Sequence, residues 1–515
     1  MDKIAIRNLR SLKDTGDIEL KPITVLVGRN SSGKSTFLRS FPLLKQSIET
    51  NTAEPLLWFG NYVDFGDFDT ALSRNTTNKI IQYKFVYNSI KGFFRTRLRL
   101  RNFSIKTNSS CTIILDIGEK FLKKAILTIC NQTIEIEYNE KQDIKNLKIN
   151  ESNVQLNERK LVCDKDNNQV IPDIYYADLY EKNIYLRTSI RNFFKDKLNK
   201  FILSKWAFNN TKISTIEKFI SELPFSDINT LFANIKKSKN LPSTLSKNID
   251  NLKIDDSDFE KFNNLFVGIY IMDIIDCANR LMTHDSEQIK YIKPIRFNVE
   301  RYYRIQGLNI EDIDSRGENI PMFLHSLSLK ERTDFNKWTK NIFNLNFLID
   351  NISGHVSLII KDLKNDVTFN LADVGYGYSQ ILPIIILLWN CQRNKRKRHP
   401  IFLRPYPKNI TLAIEQPELH LHPEFQARVI DLFVSVINEI KKKPFSLKII
   451  FETHSETIVN RLGYLINKHK LKPDDVNVLI FNKDINNVAS VDSATFTEKG
   501  KLQNWPLGFF SPEGI

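Results

Sequence analysis

Residues 28–36 read GRNSSGKST and follow directly on the apolar run Ile23-Thr24-Val25-Leu26-Val27. This is G-x-x-x-x-G-K-[ST] in the setting that the pattern needs: a short β-branched strand, a Gly-rich turn, then a helix opening near Ser35. Gly28 and Gly33 let the backbone curl so that its N–H groups point inward at phosphate oxygens. The cradle comprises Arg29, Asn30, Ser31 and Ser32, with Thr36 just inside the helix. Lys34 is placed to bring its ammonium to the β- and γ-phosphates, and Ser35 to offer its hydroxyl to Mg²⁺. A chance Gly/Ser turn would lack the flanking strand and helix. The segment therefore predicts an α/β fold that holds a nucleoside triphosphate, with ATP and Mg²⁺ as the expected cofactors.

A length of 515 residues predicts two to four domains, and 42% hydrophobic with 26% charged residues is a globular balance. The longest apolar run, Ile381 to Trp389, falls short of the roughly 18 residues that a membrane span needs. The N-terminal MDKIAIRNLR has no apolar h-region and does not read as a secretory signal. Cys111, Cys130, Cys163, Cys277 and Cys391 form no C-x-x-C pair, so neither a zinc site nor a disulfide framework is indicated. A reducing cytoplasm fits this cysteine usage.

Net charge is +15. Such a balance favours polyanionic partners, although Lys and Asn are spread along the chain as a composition bias would spread them. One basic cluster is denser: Arg393, Lys395, Arg396, Lys397 and Arg398, followed by His399. It reads as a nucleic-acid or acidic-partner contact, with a solvated loop as the alternative.

Residues 3–27 alternate like strands and predict a hairpin feeding the P-loop strand. A helix over Lys34 to Glu49 follows. Residues 79–105 and 111–136 read as further strands. From 186 to 290 the pattern changes to Lys/Asn-rich helices, such as Arg187 to Phe208, Ser214 to Ser221 and Phe259 to Thr283. Mixed α/β character returns from 291, with strands at 357–361, 410–415, 447–452 and 477–481. Helices are expected at 379–391, 424–440 and 455–470. The division is an ATPase core in two lobes, 1–100 and 291–515, split by an insertion over 101–290 that is β-rich and then helical.

Three segments beyond the P-loop carry chemistry. Ile410 to Glu418 reads ITLAIEQPE, an apolar strand ending in a carboxylate. Glu415 is the candidate Mg²⁺ acid, on a strand expected beside the P-loop strand. Ile449 to Ser455 reads IIFETHS and delivers His454 just before a helix, where a neutral imidazole can bond a γ-phosphate or the attacking water. Asp373 to Gln380 reads DVGYGYSQ and opens the apolar helix 380–391. Its Gly375, Gly377, Ser379 and Gln380 form a second anion-binding helix end.

The order P-loop, Gly-Ser helix start, Walker B and histidine resembles the ABC-type ATPase heads of SMC, Rad50 and RecF proteins and of overcoming-lysogenization-defect (OLD) ATPases. The phrases IEQPELHLHP, ETHSE and VGYGYSQILPI look closely like the OLD branch, as do YIKPIR at 291–296 and NWPLGFF at 504–510. The resemblance covers about 1–100 and 290–515. It implies an ABC-type P-loop ATPase head with a large mixed α/β insertion. It also implies a homodimer or higher homo-oligomer whose heads sandwich two ATP molecules, with Ser379 and its neighbours contacting the γ-phosphate held by the other copy. His454 becomes the switch histidine, and Gln46 a Q-loop residue touching Mg²⁺.

One position departs from the ABC pattern. The residue after the Mg²⁺ acid is usually a catalytic glutamate, and here it is Gln416. A neutral amide can orient water but cannot take its proton. The reading is slow hydrolysis, with Glu418 contributing as base. OLD nucleases carry a Toprim domain with an acidic metal cluster after the ATPase. Beyond His454 this chain shows no D-x-D pair, and Asp474, Asp475, Asp484 and Asp492 lack metal-site spacing, so it is not expected to be a nuclease itself. An ATPase of this branch without that domain resembles the PtuA-type ATPases of Septu and retron-associated antiphage systems. That resemblance implies a separate HNH nuclease as partner. In the retron form it adds a reverse transcriptase and an RNA–DNA hybrid, with no membrane component. The alternatives are a RecF-like repair ATPase acting on DNA ends and, more distantly, an ABC transport ATPase.

Overall fold

A computed structural model describes the chain apart from residues 51, 53, 75, 91–108, 155–159, 165–168, 180–184, 208–210, 238–248, 308–309, 394–408, 485–487 and 507–515. The α/β class expected from the sequence is what the structure has. Five parallel strands form the nucleotide end of one long sheet, in the order Val476–Lys483, Ile23–Gly28, Ser446–Glu452, Asn409–Glu415, Ile289–Ile292. Parallel strands covered on both faces read as continuous apolar runs. Ile23–Gly28 is accordingly buried at every position. Alternation along that strand sends Leu26 into one core and Ile23, Val25 and Val27 into the other.

Two placements differ from the sequence reading. The Glu415 strand is not beside the P-loop strand. Ser446–Glu452 lies between them and pairs with both. Parallel neighbours need a crossover, and helix Pro423–Ile440 carries the chain from the Glu415 strand to this central slot. The apolar run Ile449-Ile450-Phe451 is what lets Ser446–Glu452 sit buried on both sides. The second difference concerns the N-terminal hairpin. Lys3–Leu9 and Leu12–Asp14 do pair, but they stand off from the P-loop strand behind Ala489–Phe496 and Val476–Lys483.

The sheet continues beyond Lys3–Leu9 as an antiparallel arm through Ile81–Tyr87, Cys111–Ile117, Leu122–Ile129, Gln132–Tyr138, Ile144–Ile149 and Ser152–Asn153. Strict in–out alternation in Ile81–Tyr87, Cys111–Ile117 and Gln132–Tyr138 marks strands with one face on a core. The 100/101 boundary thus falls between two hydrogen-bonded strands, Ile81–Tyr87 and Cys111–Ile117. One apolar core joins the arm, the central helices and the inner face of helix Lys34–Glu49 to Ala413, Ile450, Leu479, Phe481 and Ala489 of the later strands.

Helix Lys34–Glu49 has the bounds that its sequence predicts. The helix expected over 259–283 is two, Ser257–Ile269 and Ile271–Glu287, broken at Tyr270 (φ −102, ψ 6), whose ring packs on Phe225 and Phe266. Gly268 lies so close to helix Ile190–Lys205 that a Cβ there would sit 2.2 Å from Phe194. Two smaller antiparallel sheets were not foreseen as units. One comprises Lys160–Asp164, Asp173–Leu179 and Tyr185–Ser189; the other comprises Tyr303–Arg304, Leu345–Ile352, His355–Asp362 and Val367–Asn370.

Candidate nucleotide and metal site

The P-loop lies where the central parallel strands end. Gly28, Ser31 and Gly33 adopt φ of 148, 61 and 105, and this run of positive angles curls the backbone into a concave turn. Arg29, Asn30 and Ser31 are exposed, whereas Ser32 is buried. A Cβ on Gly28 would lie 2.3 Å from the Phe481 carbonyl oxygen, and one on Gly33 2.8 Å from Leu12. Gly28→Ala is therefore expected to lower stability by at least ~2 kcal/mol, through strain and a backbone clash together. A thermal melt within a degree of the parent would contradict this.

Lys34 is buried, and its ammonium donates to the carbonyls of Gly28 at 2.9 Å and Arg29 at 2.8 Å. Burial pulls its pKa down, while Glu452 and Glu418 oppose that. The cation is thus held inside the curl of the loop, where phosphate oxygens would meet it. Thr36, next along the helix, is half-buried.

Glu415 and Glu452 end adjacent strands in matched register. Arg39 donates to both Glu415 oxygens, from Nε at 2.7 Å and Nη2 at 2.8 Å, and the Tyr291 hydroxyl also donates to Glu415. Glu452 accepts from the Ser35 hydroxyl at 2.7 Å. Its pKa is pushed up to about 7, first by burial and then by the charge of Glu415. Burial and Glu415 also raise the Tyr291 hydroxyl, and the Glu415 bond raises Arg39.

Gln416 adopts φ 42, donates its N–H to the Glu452 carbonyl at 3.1 Å and accepts at its own carbonyl from Arg296 at 3.3 Å. Arg296 is buried and also bonds the Glu415 carbonyl at 2.9 Å, while its Nε and Nη1 are buried without a hydrogen bond. Desolvation lowers its pKa to about 10. Glu418 accepts from the His454 N–H at 2.8 Å through Oε1; its Oε2 is buried and unbonded, and burial raises its pKa. The His454 ring is exposed, and burial of its inner part plus Lys34 lowers its pKa, favouring the neutral imidazole.

Lys34, Ser35, Glu415, Gln416, Glu418 and His454 are thus brought together. Gln46 is not. Its amide donates to the Leu57 carbonyl at 2.6 Å and accepts from the Val63 N–H at 3.0 Å, tying down the 57–63 loop. It lies on the helix that Lys34 opens, about 18 Å further along at ~1.5 Å per residue, too far to touch the same metal. The helix expected from Gln380 opens at Tyr376, with Gly375 as its cap. Ser379 is therefore buried within the first turn and donates to the Tyr376 carbonyl at 2.7 Å. Gly377 approaches the His420 carbonyl, and the Gln380 side-chain oxygen is buried without a bond. Arg393 is committed to structure, paired with Glu331 and stacked 4.4 Å over Trp389. Lys395, Arg396, Lys397 and Arg398 lie outside the described residues.

Arg39, Arg296 and Glu452 received no role from sequence reasoning, and Tyr291 was noted only as part of a phrase. Two signals were available. Glu452 ends an apolar run just as Glu415 does, and Arg39 falls four residues after Ser35, on the same helix face. The donor set suits the expected cofactors. Hard oxygens from Ser35 and two carboxylates match Mg²⁺, which takes few protein ligands and relies on phosphates for the rest. Among the described residues no group of three or more His, Cys, Asp or Glu is placed to hold a metal alone.

A family model described as AAA ATPase domain matches residues 1–459. No curated protein matches. Among solved structures, the chain is similar to an SMC head bound to the C-terminal winged-helix domain of ScpA, at 12% identity and TM-score 0.34, covering 96% of this chain and 97% of that one. It is also similar to the SMC head domain from Thermotoga maritima, at 10% identity and TM-score 0.34, covering 95% and 97%. The recombination mediator RecF matches at 10% identity and TM-score 0.27, covering 96% and 97%. The family match runs through the P-loop, both carboxylate strands and His454, and on that ground the chain belongs to the AAA ATPase domain family.

Proposed function

We propose that this chain is a regulatory ATPase that binds ATP with Mg²⁺, hydrolyses it slowly, and works as a homodimer or higher homo-oligomer. The observation that carries the reading is Gln416, which follows Glu415 at the strand end and is pinned there through its backbone by Glu452 and Arg296. An amide at that point orients water without accepting its proton. Glu418 remains as the base, with its raised pKa and one unbonded buried oxygen beside Arg296. Lys34 neutralises phosphate charge, and the neutral His454 imidazole accepts or donates one hydrogen bond at the γ-phosphate side. Bound Mg²⁺–ATP supplies the phosphoryl group and the charge that these residues are arranged to meet.

The second half of the composite site is the 375–380 segment. It starts a helix of 17 residues whose first positions, Gly375 and Tyr376, are exposed and available to another copy, Tyr376 at 67%, while Ser379 and Gln380 sit buried behind them. In this reading closure of the two heads holds ATP and signals to a separate HNH nuclease in a cytoplasmic antiphage complex. A reverse transcriptase and its RNA–DNA hybrid join it in the retron-associated form. No helix among the described residues is long and apolar enough to cross a membrane.

Gly375→Arg, at an exposed position where an added Cβ meets nothing within 4 Å, is expected to weaken ATP-dependent dimerisation at least about tenfold, a loss of ~1.4 kcal/mol, with ATP affinity of the monomer unchanged. Light scattering with and without ATP measures this, and an unaltered dimer would refute the sandwich. Purification together with the products of neighbouring genes tests the defence role. If the chain stays alone and binds duplex DNA ends in an ATP-dependent manner, the RecF-like alternative holds instead.

A further inference from the structure

We propose that Asp314 and Arg296 are positioning residues for hydrolysis: Asp314 closes the 312–319 loop, the loop holds the Arg296 segment, and Arg296 fixes the turn that carries Gln416. The inference rests on the reading of Gln416 as the residue that orients the attacking water, and it leaves the part of Glu415 unchanged.

The turn after Glu415 needs outside support. Gln416 adopts φ 42, an angle that is unfavourable for a residue with a side chain and persists only where the surroundings hold it. Its N–H goes to the Glu452 carbonyl, and its own carbonyl accepts from the Leu419 N–H at 3.1 Å and from Arg296 Nη2 at 3.3 Å. The same Nη2 bonds the Glu415 carbonyl at 2.9 Å, so one guanidinium nitrogen spans two successive carbonyls of the turn. At 2% exposure Arg296 has no solvent to turn into. Where its guanidinium sits is therefore decided by where its backbone is held.

The 312–319 loop holds it. The N–H groups of Lys293 and Phe297, on either side of Arg296, donate to the Ser315 carbonyl at 2.9 Å and the Arg316 carbonyl at 3.0 Å. The loop itself is wound around Asp314. Asp314 Oδ1 accepts from the N–H groups of Arg316 at 2.8 Å, Gly317 at 2.7 Å and Glu318 at 3.2 Å, and Oδ2 from that of Asn319 at 2.8 Å. The Asn319 side chain in turn accepts from the Asp314 N–H at 3.0 Å and donates to the Asp312 carbonyl at 3.0 Å. One carboxylate thus orders a segment that has no helix or strand of its own. Gly317, at φ 83, also brings the loop against helix Tyr376–Gln392, where a Cβ would lie 2.9 Å from Pro383. The loop is braced on that helix and passes its rigidity to Arg296.

The test uses the full chain, with steady-state ATP hydrolysis, affinity for a fluorescent non-hydrolysable ATP analogue and a thermal melt of each variant. Asp314→Ala, Arg296→Met and Gln416→Ala are each expected to lower kcat at least about tenfold, with KM and analogue affinity within about threefold of the parent. Asp314→Asn keeps one carbonyl oxygen for the loop N–H groups and is expected to hold kcat within about threefold. In a Gln416→Ala background, Asp314→Ala is expected to lower kcat by no more than about twofold further, because the residue it positions is gone. Arg316→Ala, which takes an exposed side chain off the same loop, is expected to match the parent. Parent-like kcat in Asp314→Ala and Arg296→Met overturns the inference. So does a rise in KM with kcat intact, or an undiminished effect of Asp314→Ala beside Gln416→Ala. If Arg296→Met does not fold, the Asp314 and Gln416 variants decide alone. A parent chain that binds ATP but never turns it over would instead bring down the hydrolytic reading, and this inference with it.

Discussion

Lys34→Ala is expected to weaken ATP binding at least ~100-fold, about 3 kcal/mol, the worth of one or two charge-assisted contacts to phosphate. The ammonium is buried within the loop and bonded to the carbonyls of Gly28 and Arg29. Its removal takes away the phosphate's counter-charge and also the tie across the turn. Lys34→Met keeps the aliphatic stem and separates the two effects. Both variants should lose affinity alike, while Lys34→Ala should melt lower than Lys34→Met in the absence of nucleotide. Equilibrium titration of a fluorescent ATP analogue measures the first effect. Retention of affinity within threefold would mean that the loop does not hold phosphate as its geometry implies.

Glu452→Gln is expected to stabilise the ligand-free chain at pH 8 by up to ~3 kcal/mol, and by nothing near pH 4.5. In the folded chain burial and Glu415 keep the Glu452 proton on until about pH 7, against a model value of 4.5. Between those values the folded state binds more protons than the unfolded one. Stability therefore falls as pH rises through this window, and the loss is complete above about 7. Glutamine has no proton to lose and escapes that penalty. Thermal melts in EDTA from pH 4.5 to 8 read the difference directly. A gap between variant and parent that does not change with pH would show that Glu452 ionises freely in the fold.

The P-loop was legible because strand, turn and helix are consecutive in the chain, so 23–49 carries its own evidence. The same holds for Ile449 to Glu452, an apolar run buried on both faces. What the sequence could not show was lateral order. Ile410 to Glu415 and Ile449 to Glu452 are equivalent as patterns, each an apolar strand closing on a glutamate. Which one lies against the P-loop strand depends on where helix Pro423–Ile440 crosses the sheet. Gln46 failed as a metal contact for a related reason. Its place in the helix was clear, but the 57–63 loop that occupies its amide is a tertiary partner without a local signature. Arg296 lay in a phrase already noted, yet nothing in YIKPIR reveals that its guanidinium is buried under the backbone of Glu415 and Gln416.

The unbroken hydrogen-bonded sheet has a mechanical meaning. Ten inter-strand steps separate Ile23–Gly28 from Ser152–Asn153 at the tip of the antiparallel arm. At ~4.8 Å per step the path along the sheet, nucleotide end and arm together, is at most about 48 Å, since the strands twist. A tilt of about 5° at its nucleotide end would sweep the tip through up to about 4 Å, more than the length of a hydrogen bond. Small rearrangements around a phosphate are then amplified, by leverage alone, into a displacement that a partner at the far end could register.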